Sequence, residues 1–266
     1  MSGGCAAAAQ LPRQIAPSFR TLFGERCDHP GSFFELYFRL LNSINSHHPR
    51  PQACMLDLDG TLVDTMGDFI VVLGRMLGDL GLPGVTPDFI EHTIGKGSEH
   101  LVRTTLAQAG GAPDLFERAW PLYQQHYTAV NGEHAAIYPG VVEGLEALRS
   151  RGIPLAVLTN KPAAFARELL RRKQLDGYFV HVFGGDDFAR KKPDPLPLLK
   201  TCEALGTPPS STWMVGDSRN DAEAAHAAGC PLVLVTYGYN HGEDIRAVAA
   251  FRHVDRLDEF SADVPS

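Results

Sequence analysis

The chain has 266 residues, of which 44% are hydrophobic and 21% charged, a composition typical of a globular protein with one large domain or two modest ones. Its formal net charge of −7 argues against nucleic acid as a partner, since nucleic acids bind basic surfaces. No apolar run approaches the roughly 18 residues of a membrane span, so no membrane partner is expected either.

The cysteines indicate a reducing compartment. Their number is odd and no Cys-x-x-Cys pair occurs, which favours free thiols over disulfides; the five are Cys5, Cys27, Cys54, Cys202 and Cys230. The N-terminus also lacks the basic segment and apolar core of a secretory signal. We therefore expect a cytoplasmic protein, and the sequence makes no prediction about its oligomeric state.

Residues 1–51 differ from the rest of the chain and are interpreted as an N-terminal extension. Ala, Pro, Ser and Gly dominate its start, as in a flexible tail. One helix is predicted, because Ser32 and Glu35 have the spacing of a capping box and an apolar stripe at helical spacing covers residues 34–44. This helix would pack on its own domain or form a self-association surface. Residues 46–51 are typical of a linker.

From Ala53 onward, short apolar runs alternate with helical patterns. The predicted strands cover residues 53–58, 153–159, 178–183, 212–216 and 232–236. The predicted helices lie near residues 141–151, 162–174, 195–206 and 219–228. This alternation predicts an α/β fold in which helices cover both faces of a parallel sheet.

Residues 67–137 interrupt the alternation. The interval contains helical patterns at 69–80, 101–109 and 115–130 and no convincing strand. We interpret it as an inserted, all-helical cap domain, with Gly67 and the turn at 138–140 as its hinges. The core would then comprise residues 52–66 and 138–266.

Two aspartates follow the first predicted strand, in the string Asp57-Leu58-Asp59-Gly60-Thr61. Residues two apart in a strand point to the same side, so Asp57 and Asp59 would converge on one site. Adjacent carboxylates are costly unless a positive charge lies between them or one stays protonated, and Mg²⁺ prefers such hard oxygen ligands. An acidic strand end followed by an ordinary turn is the alternative, and it explains one aspartate better than the whole string.

Three further polar segments lie at strand ends or before helices. They are Thr159-Asn160, the run Lys-Lys-Pro-Asp-Pro at 191–195 and the run Val-Gly-Asp-Ser-Arg-Asn-Asp at 215–221. Each alone has an ordinary explanation, as a helix cap, solvated lysines or a turn. Because ligands of open α/β sheets bind outside the carboxyl ends of the strands, the segments together predict one site.

The four segments resemble the motifs of the haloacid dehalogenase-like hydrolase superfamily, in its phosphatase branch. These motifs are Asp-x-Asp-Gly-Thr, a Thr, Lys-Pro-x-Pro and Gly-Asp-Ser-x-x-Asp. The resemblance covers about residues 53–250 and implies a Rossmann-like sheet core with a helical cap. The runs 57–64, 190–195 and 235–240 are further similar to bacterial phosphoglycolate phosphatases.

The resemblance implies roles for the aspartates. Asp57 would be the nucleophile that forms an aspartyl-phosphate, and Asp59 the general acid and base, which requires it to hold a proton near neutral pH. Mg²⁺ would be the cofactor, bound by the Asp57 side chain, the Asp59 backbone carbonyl and Asp217. Asp221 would orient Lys192 or a metal-bound water.

Four other side chains are candidates for contact with the substrate. Thr159, and with it the Asn160 amide, would donate hydrogen bonds to the phosphoryl group. Lys192 would supply positive charge, and it is preferred over Lys191 because the Lys-Pro-x-Pro pattern begins there. Lys96, in the Gly-rich run 93–98, could pair with a substrate carboxylate, although a plain turn explains that run equally well.

The sequence thus predicts a Mg²⁺-dependent hydrolase of a small phosphate ester, with 2-phosphoglycolate as the leading substrate. Sugar phosphates, nucleotides and pyrophosphate are alternatives on the same fold. A dehalogenase fits less well, because the resemblance implies that its branch lacks the second aspartate, and a phosphonate hydrolase would have to use Lys96. The remaining alternative is a non-catalytic regulatory binding protein, which predicts the loss of a motif residue; none is lost.

Overall fold

The computed structural model describes residues 50–264. The helix predicted within residues 32–44 lies outside the described residues, as does most of the predicted linker. All four segments that were predicted to form the site lie within the described range.

Six strands form one parallel sheet. They are β1 (Ala53–Leu56), β4 (Leu155–Leu158), β5 (His181–Phe183), β6 (Thr212–Gly216), β7 (Leu232–Val235) and β8 (Arg252–Val254), in the spatial order β5-β4-β1-β6-β7-β8. Two short segments, β2 (Val63–Asp64) and β3 (Ala136–Ile137), pair antiparallel in a separate ribbon. The five strands predicted from apolar runs are therefore confirmed, with ends shifted by up to three residues.

The strand order places a binding crevice beside β1. In the sheet, β4 lies on one side of β1 and β6 lies on its other side. Leu56 is in register with Val157 of β4 and Val215 of β6, so the three strands end at nearly the same level. Side chains that follow them must meet at one edge, where ligands of such sheets bind.

Helices cover both faces of the sheet, as predicted. They are α5 (Val141–Ser150), α6 (Ala163–Arg172), α7 (Leu196–Leu205), α8 (Arg219–Ala228) and α9 (Leu257–Asp263). The side chains of β1 alternate between two apolar clusters, with Cys54 and Leu56 in one and Met55 in the other. A strand buried on both faces is continuously apolar, which accounts for the free, buried Cys54.

Four helices lie between β2 and β3. They are α1 (Met66–Asp79), α2 (Pro87–Glu91), α3 (Ser98–Gln108) and α4 (Phe116–Val130), and their apolar faces form a cluster of their own around Phe69, Tyr123 and Tyr127. Gly67 lies within α1, where a Cβ atom would meet the His134 carbonyl oxygen at 2.4 Å. The description of residues 67–137 as a cap domain stays a prediction. None of the described helices has the length and apolar character needed to cross a membrane.

The strands β2, β3 and β8 and the helices α2 and α9 were not predicted, and β3 lies inside the interval 67–137 that was expected to contain no strand. In β8, Arg252 and His253 are half-buried and only Val254 is buried, as befits a short strand at the sheet edge. Such a strand shows no apolar run in the sequence. The helix α2 spans only five residues, too few for a helical period to be recognised.

Packing of α5 on the sheet gives a stability test. Leu145 is fully buried, whereas Val142 on the same helix is 39% exposed. Leu145→Ala should lower the free energy of unfolding by about 2–5 kcal/mol, because it leaves a cavity in the core. Val142→Ala should change it by less than about 0.5 kcal/mol. Urea denaturation of both variants measures this, and equal losses would contradict the packing described.

Candidate active site

Polar residues from two strand ends, those of β1 and β4, line one cavity of about 20 Å³, room for about one water molecule. The core lines it with Asp57, Asp59, Thr159, Asn160 and Lys161, and the helical insertion with Phe69, Ile94, Gly95, Gly97, Ser98 and Leu101. We call this the central cavity. A phosphate ester enters it only if some of these groups move apart.

Three carboxylates meet beside the cavity. Asp57, Asp217 and Asp221 are all buried, and each offers an oxygen within 4.8 Å of the other two. We call them the acidic cluster. Like charges held this close in a buried place are strongly unfavourable, so the arrangement requires cations or protons.

Neighbouring donors fix Asp217. The Thr61 hydroxyl donates to its Oδ1 at 2.8 Å, and the Tyr239 backbone N–H donates to its Oδ2 at 2.7 Å. Gly60 has a φ of +84°, and a Cβ atom there would lie 2.2 Å from Asp217 Oδ2. Glycine is therefore required at position 60 both for its backbone conformation and for the approach of the carboxylate.

Lys192 is the cation of the acidic cluster. Its ammonium lies 2.7 Å from Asp221 Oδ1 and 3.1 Å from Asp57 Oδ1, and it also donates to the Leu158 carbonyl. Burial acts to lower the pKa of Lys192, but the charges of Asp221 and Asp57 outweigh it and the net shift is upward. Lys191 is exposed, which agrees with the choice of Lys192 from the sequence.

Asp221 holds Lys192 and the start of α8 at the same time. Its Oδ2 accepts hydrogen bonds from the Ser218 hydroxyl at 2.7 Å and the Ser218 backbone N–H at 3.1 Å, while Oδ1 faces Lys192. Its position is that predicted for a residue that orients Lys192.

The acidic cluster remains short of positive charge. Burial, with added repulsion from Asp221 and Asp59, raises the pKa of Asp57 to about 6 against the opposing effect of Lys192. Burial and the charges of Asp221 and Asp57 raise the pKa of Asp217 well above its usual range.

A divalent cation fits this arrangement. Asp57 Oδ1 is buried and shares the Lys192 ammonium, 3.1 Å away, with Asp221, and the oxygens of the acidic cluster are the hard ligands that Mg²⁺ prefers. The residues present therefore fit a Mg²⁺ site whose candidate side-chain ligands are Asp57, Asp217 and Asp221, and the ligand set Asp57, Asp59 and Asp217 stays a prediction.

Asp59 lies in a different environment from Asp57. Lys161 Nζ lies 2.7 Å from its Oδ1 and 2.9 Å from its Oδ2, and the Thr65 hydroxyl donates to Oδ1 at 2.8 Å. The two adjacent aspartates thus face two different lysines. The sequence interpretation expected a second carboxylate to keep a proton on Asp59, and it overlooked this ammonium.

Lys161 is the site residue that the sequence interpretation missed. It follows Thr159-Asn160 directly, so its place after a predicted strand end was a usable signal. The side chain is 2% exposed, and its ammonium lies 4.8 Å from the ring centroids of both Phe69 and Tyr127.

Asn160 connects two loops. Its side-chain N–H groups donate to the carbonyls of Gly95 and Lys192, and its oxygen accepts from the Lys192 backbone N–H. Since both donors are engaged, the amide holds the Lys192 loop against the insertion rather than presenting a free donor. Thr159 lines the cavity as predicted, and its Oγ1 accepts a hydrogen bond from the Lys161 backbone N–H.

Lys96 does not line the cavity. It is exposed, although its neighbours Gly95 and Gly97 both contribute to the lining. The cation that the structure brings to the cavity is Lys161, from the core.

Comparisons with known proteins show to which family the chain belongs. A family model described as haloacid dehalogenase-like hydrolase matches residues 54–235. The phosphoglycolate phosphatase of Nitrosospira multiformis is 46% identical over 203 residues, which are 75% of this chain and 89% of that protein. The phosphoglycolate phosphatase of Thiobacillus denitrificans is 41% identical over 197 residues, or 73% and 87% of the two chains.

A solved structure has the same fold. It is the crystal structure of a protein from Haemophilus somnus described as a predicted phosphoglycolate phosphatase, which is 32% identical to this chain. The two superpose with a TM-score of 0.76 over 80% of this chain and 98% of that one. The chain therefore belongs to the haloacid dehalogenase-like hydrolases, in the family of the phosphoglycolate phosphatases.

Proposed function

We propose that this phosphoric monoester hydrolase is Mg²⁺-dependent, works through an aspartyl-phosphate on Asp57, and converts 2-phosphoglycolate to glycolate and phosphate. One observation carries the proposal. Asp57 Oδ1 is buried at the carboxyl edge of the sheet and belongs to a cluster rich in negative charge, in which it shares the Lys192 ammonium, 3.1 Å away, with Asp221.

In the first step, Asp57 attacks the phosphorus atom in line with the ester oxygen. A bond forms between its carboxylate oxygen and phosphorus, the bond from phosphorus to the ester oxygen breaks, and Asp59 gives its proton to the departing alkoxide. Asp59 is next to Asp57 in the cavity lining, as this role requires.

In the second step, Asp59 takes a proton from water as the water oxygen attacks phosphorus. The bond from phosphorus to Asp57 then breaks, which releases phosphate and returns both aspartates to their starting forms. The small cavity between insertion and core limits access of other water molecules.

Lys192 supplies the positive charge that faces the phosphoryl oxygens, and the Thr159 hydroxyl can donate a hydrogen bond to them. Asp221 keeps Lys192 in place. Mg²⁺ held by the Asp57 side chain, the Asp59 carbonyl and Asp217 would supply the charge that offsets repulsion between carboxylate and phosphate.

The substrate is proposed from two lines of support. The relatives from both organisms carry the name phosphoglycolate phosphatase, and the cavity is small and lined by a cation as well as acids. A cytoplasmic location, expected from the cysteines, is part of the same proposal.

Replacement of the nucleophile tests the mechanism. Asp57→Asn should lower kcat by at least about 1,000-fold, because the amide cannot form the phosphoryl ester. The variant should fold, since a neutral group relieves repulsion in the acidic cluster. Phosphate release and thermal unfolding measure the two effects. Asp176→Asn, at an exposed position, is the matched control; if Asp57→Asn kept a tenth of the activity, the nucleophile would be wrongly assigned.

Stability should depend jointly on pH and Mg²⁺. A carboxyl with a folded-state pKa near 6 and an unfolded value of about 3.9 keeps its proton longer in the folded state. As pH rises from about 4 to about 6, the metal-free protein should therefore lose stability. Mg²⁺ should then raise Tm more at about pH 7.5 than at about pH 5, because protons compete with it for Asp57.

Thermal unfolding with Mg²⁺ or with EDTA, at both pH values, measures this difference. Asp217→Asn should reduce the Mg²⁺-induced shift at both pH values. The same Tm shift at the two pH values would show that Asp57 does not bind the ion.

A substrate panel separates the proposed ester from its alternatives. With Mg²⁺ present, kcat/KM for 2-phosphoglycolate should exceed that for glucose 6-phosphate, AMP or pyrophosphate by at least about tenfold, or roughly 1.4 kcal/mol of transition-state binding. Steady-state phosphate release gives the values. A sugar phosphate or nucleotide at the head of the panel would keep the mechanism and reject the substrate.

A further inference from the structure

We infer that Lys161 recognises the carboxylate of the substrate. While no substrate is bound, Asp59 forms an ion pair with the Lys161 ammonium. The inference rests on the proposed function, which it extends by assigning the residue that selects a carboxylate next to the phosphate ester.

The charges in the site favour Lys161 for this role. A phosphate ester that also carries a carboxylate brings a second anionic group into a buried site, which is costly unless a cation meets it. Lys192 already faces Asp57 and Asp221. Among the described residues, Lys161 is the lysine that lines the central cavity, and its partner is a carboxylate.

The geometry of the ion pair between Asp59 and Lys161 suits a substrate carboxylate. Both oxygens of Asp59 lie within 3 Å of Lys161 Nζ, at 2.7 and 2.9 Å. A substrate carboxylate presents the same two oxygens with the same charge, so it can take this position. The rings of Phe69 and Tyr127, each 4.8 Å from the ammonium, remain as cation–π partners throughout the exchange.

The length of 2-phosphoglycolate places its carboxylate near Lys161. In 2-phosphoglycolate a single methylene separates the ester oxygen from the carboxylate carbon. Asp59 must contact the ester oxygen to act on it, and Lys161 contacts Asp59 directly. A carboxylate one carbon away from the ester oxygen therefore falls within reach of Lys161. Lys96 is exposed and outside the cavity lining.

The exchange also explains how a substrate enters so small a cavity. The ion pair between Asp59 and Lys161 occupies the space beside the nucleophile, and about 20 Å³ is left. When the substrate carboxylate takes the ammonium, the Asp59 side chain is released toward the ester oxygen and takes up from solvent the proton that it then gives to the leaving alkoxide. An ester without a carboxylate leaves the ion pair intact and is hydrolysed poorly.

The test compares 2-phosphoglycolate with its amide, 2-phosphoglycolamide, which has the same shape and lacks the carboxylate charge. We expect the wild type to prefer the acid over the amide by about 30-fold or more in kcat/KM, the size typical of removing one partner of a buried charge pair. In Lys161→Met, whose side chain is apolar and of similar length, this preference should fall to within about threefold.

Three further variants sharpen the result. Lys161→Arg keeps the charge and should retain most of the preference for the acid. Lys200→Met, at an exposed lysine far from the site in sequence and paired with Glu203, should keep the wild-type preference. Lys96→Met tests the competing assignment and should also keep it.

Several results would overturn the inference: equal rates on the acid and the amide in the wild type, an undiminished preference in Lys161→Met, or a lost preference in Lys96→Met. If Lys161→Met does not fold, the wild-type comparison and Lys161→Arg decide. Failure of the proposed function looks different, because the wild type would then release no phosphate in the presence of Mg²⁺ from either ester.

Discussion

Repulsion among three buried carboxylates is the constraint that organises this edge of the sheet. Asp57, Asp217 and Asp221 each have a carboxylate oxygen within 4.8 Å of the other two. Burying such a group in an apolar core is strongly unfavourable unless positive charge lies beside it. The surroundings are built to meet that need. Lys192 comes from the loop after β5 and pairs with Asp221. Gly60 leaves a space beside Asp217 that any side chain would fill. Because β1 and β6 end at nearly the same level, Asp57 and Asp217, which follow them, lie close together.

Two lysines divide the positive charge between two tasks. Lys192 faces the carboxylates that would surround the phosphoryl group, whereas Lys161 faces Asp59, on the side where the leaving group would lie. A site with only the first lysine would accept phosphate esters with little regard to the group attached to the ester oxygen. With the second lysine, Lys161, the charge of the group attached to the ester oxygen would also affect how well a substrate binds. In the proposed assignment, selection for a carboxylate depends on which aspartate each ammonium contacts.

Sequence reasoning found the strands and the acidic motifs because both leave local patterns. β6 was predicted at its observed bounds, since Thr-Trp-Met-Val-Gly is continuously buried and largely apolar. The same reasoning missed β8, whose Arg252 and His253 lie at the sheet edge, and it missed Lys161. Whether a lysine after a strand is solvated or buried depends on Phe69 and Tyr127, which are distant in sequence. Periodicity within one segment carries no information about that contact.

The same limit explains Asn160. From the sequence it was a candidate donor to phosphate, whereas in the fold its amide ties Gly95 of the insertion to both backbone groups of Lys192. Those three hydrogen bonds make the position of the Lys192 loop depend on the loop that closes the cavity. A ligand that pushes Gly95 outward must break the hydrogen bond between Gly95 and Asn160. The free-energy cost of ligand entry is then linked to Asn160, which also holds Lys192 toward the acidic cluster. Access and electrostatics in this site are therefore not independent.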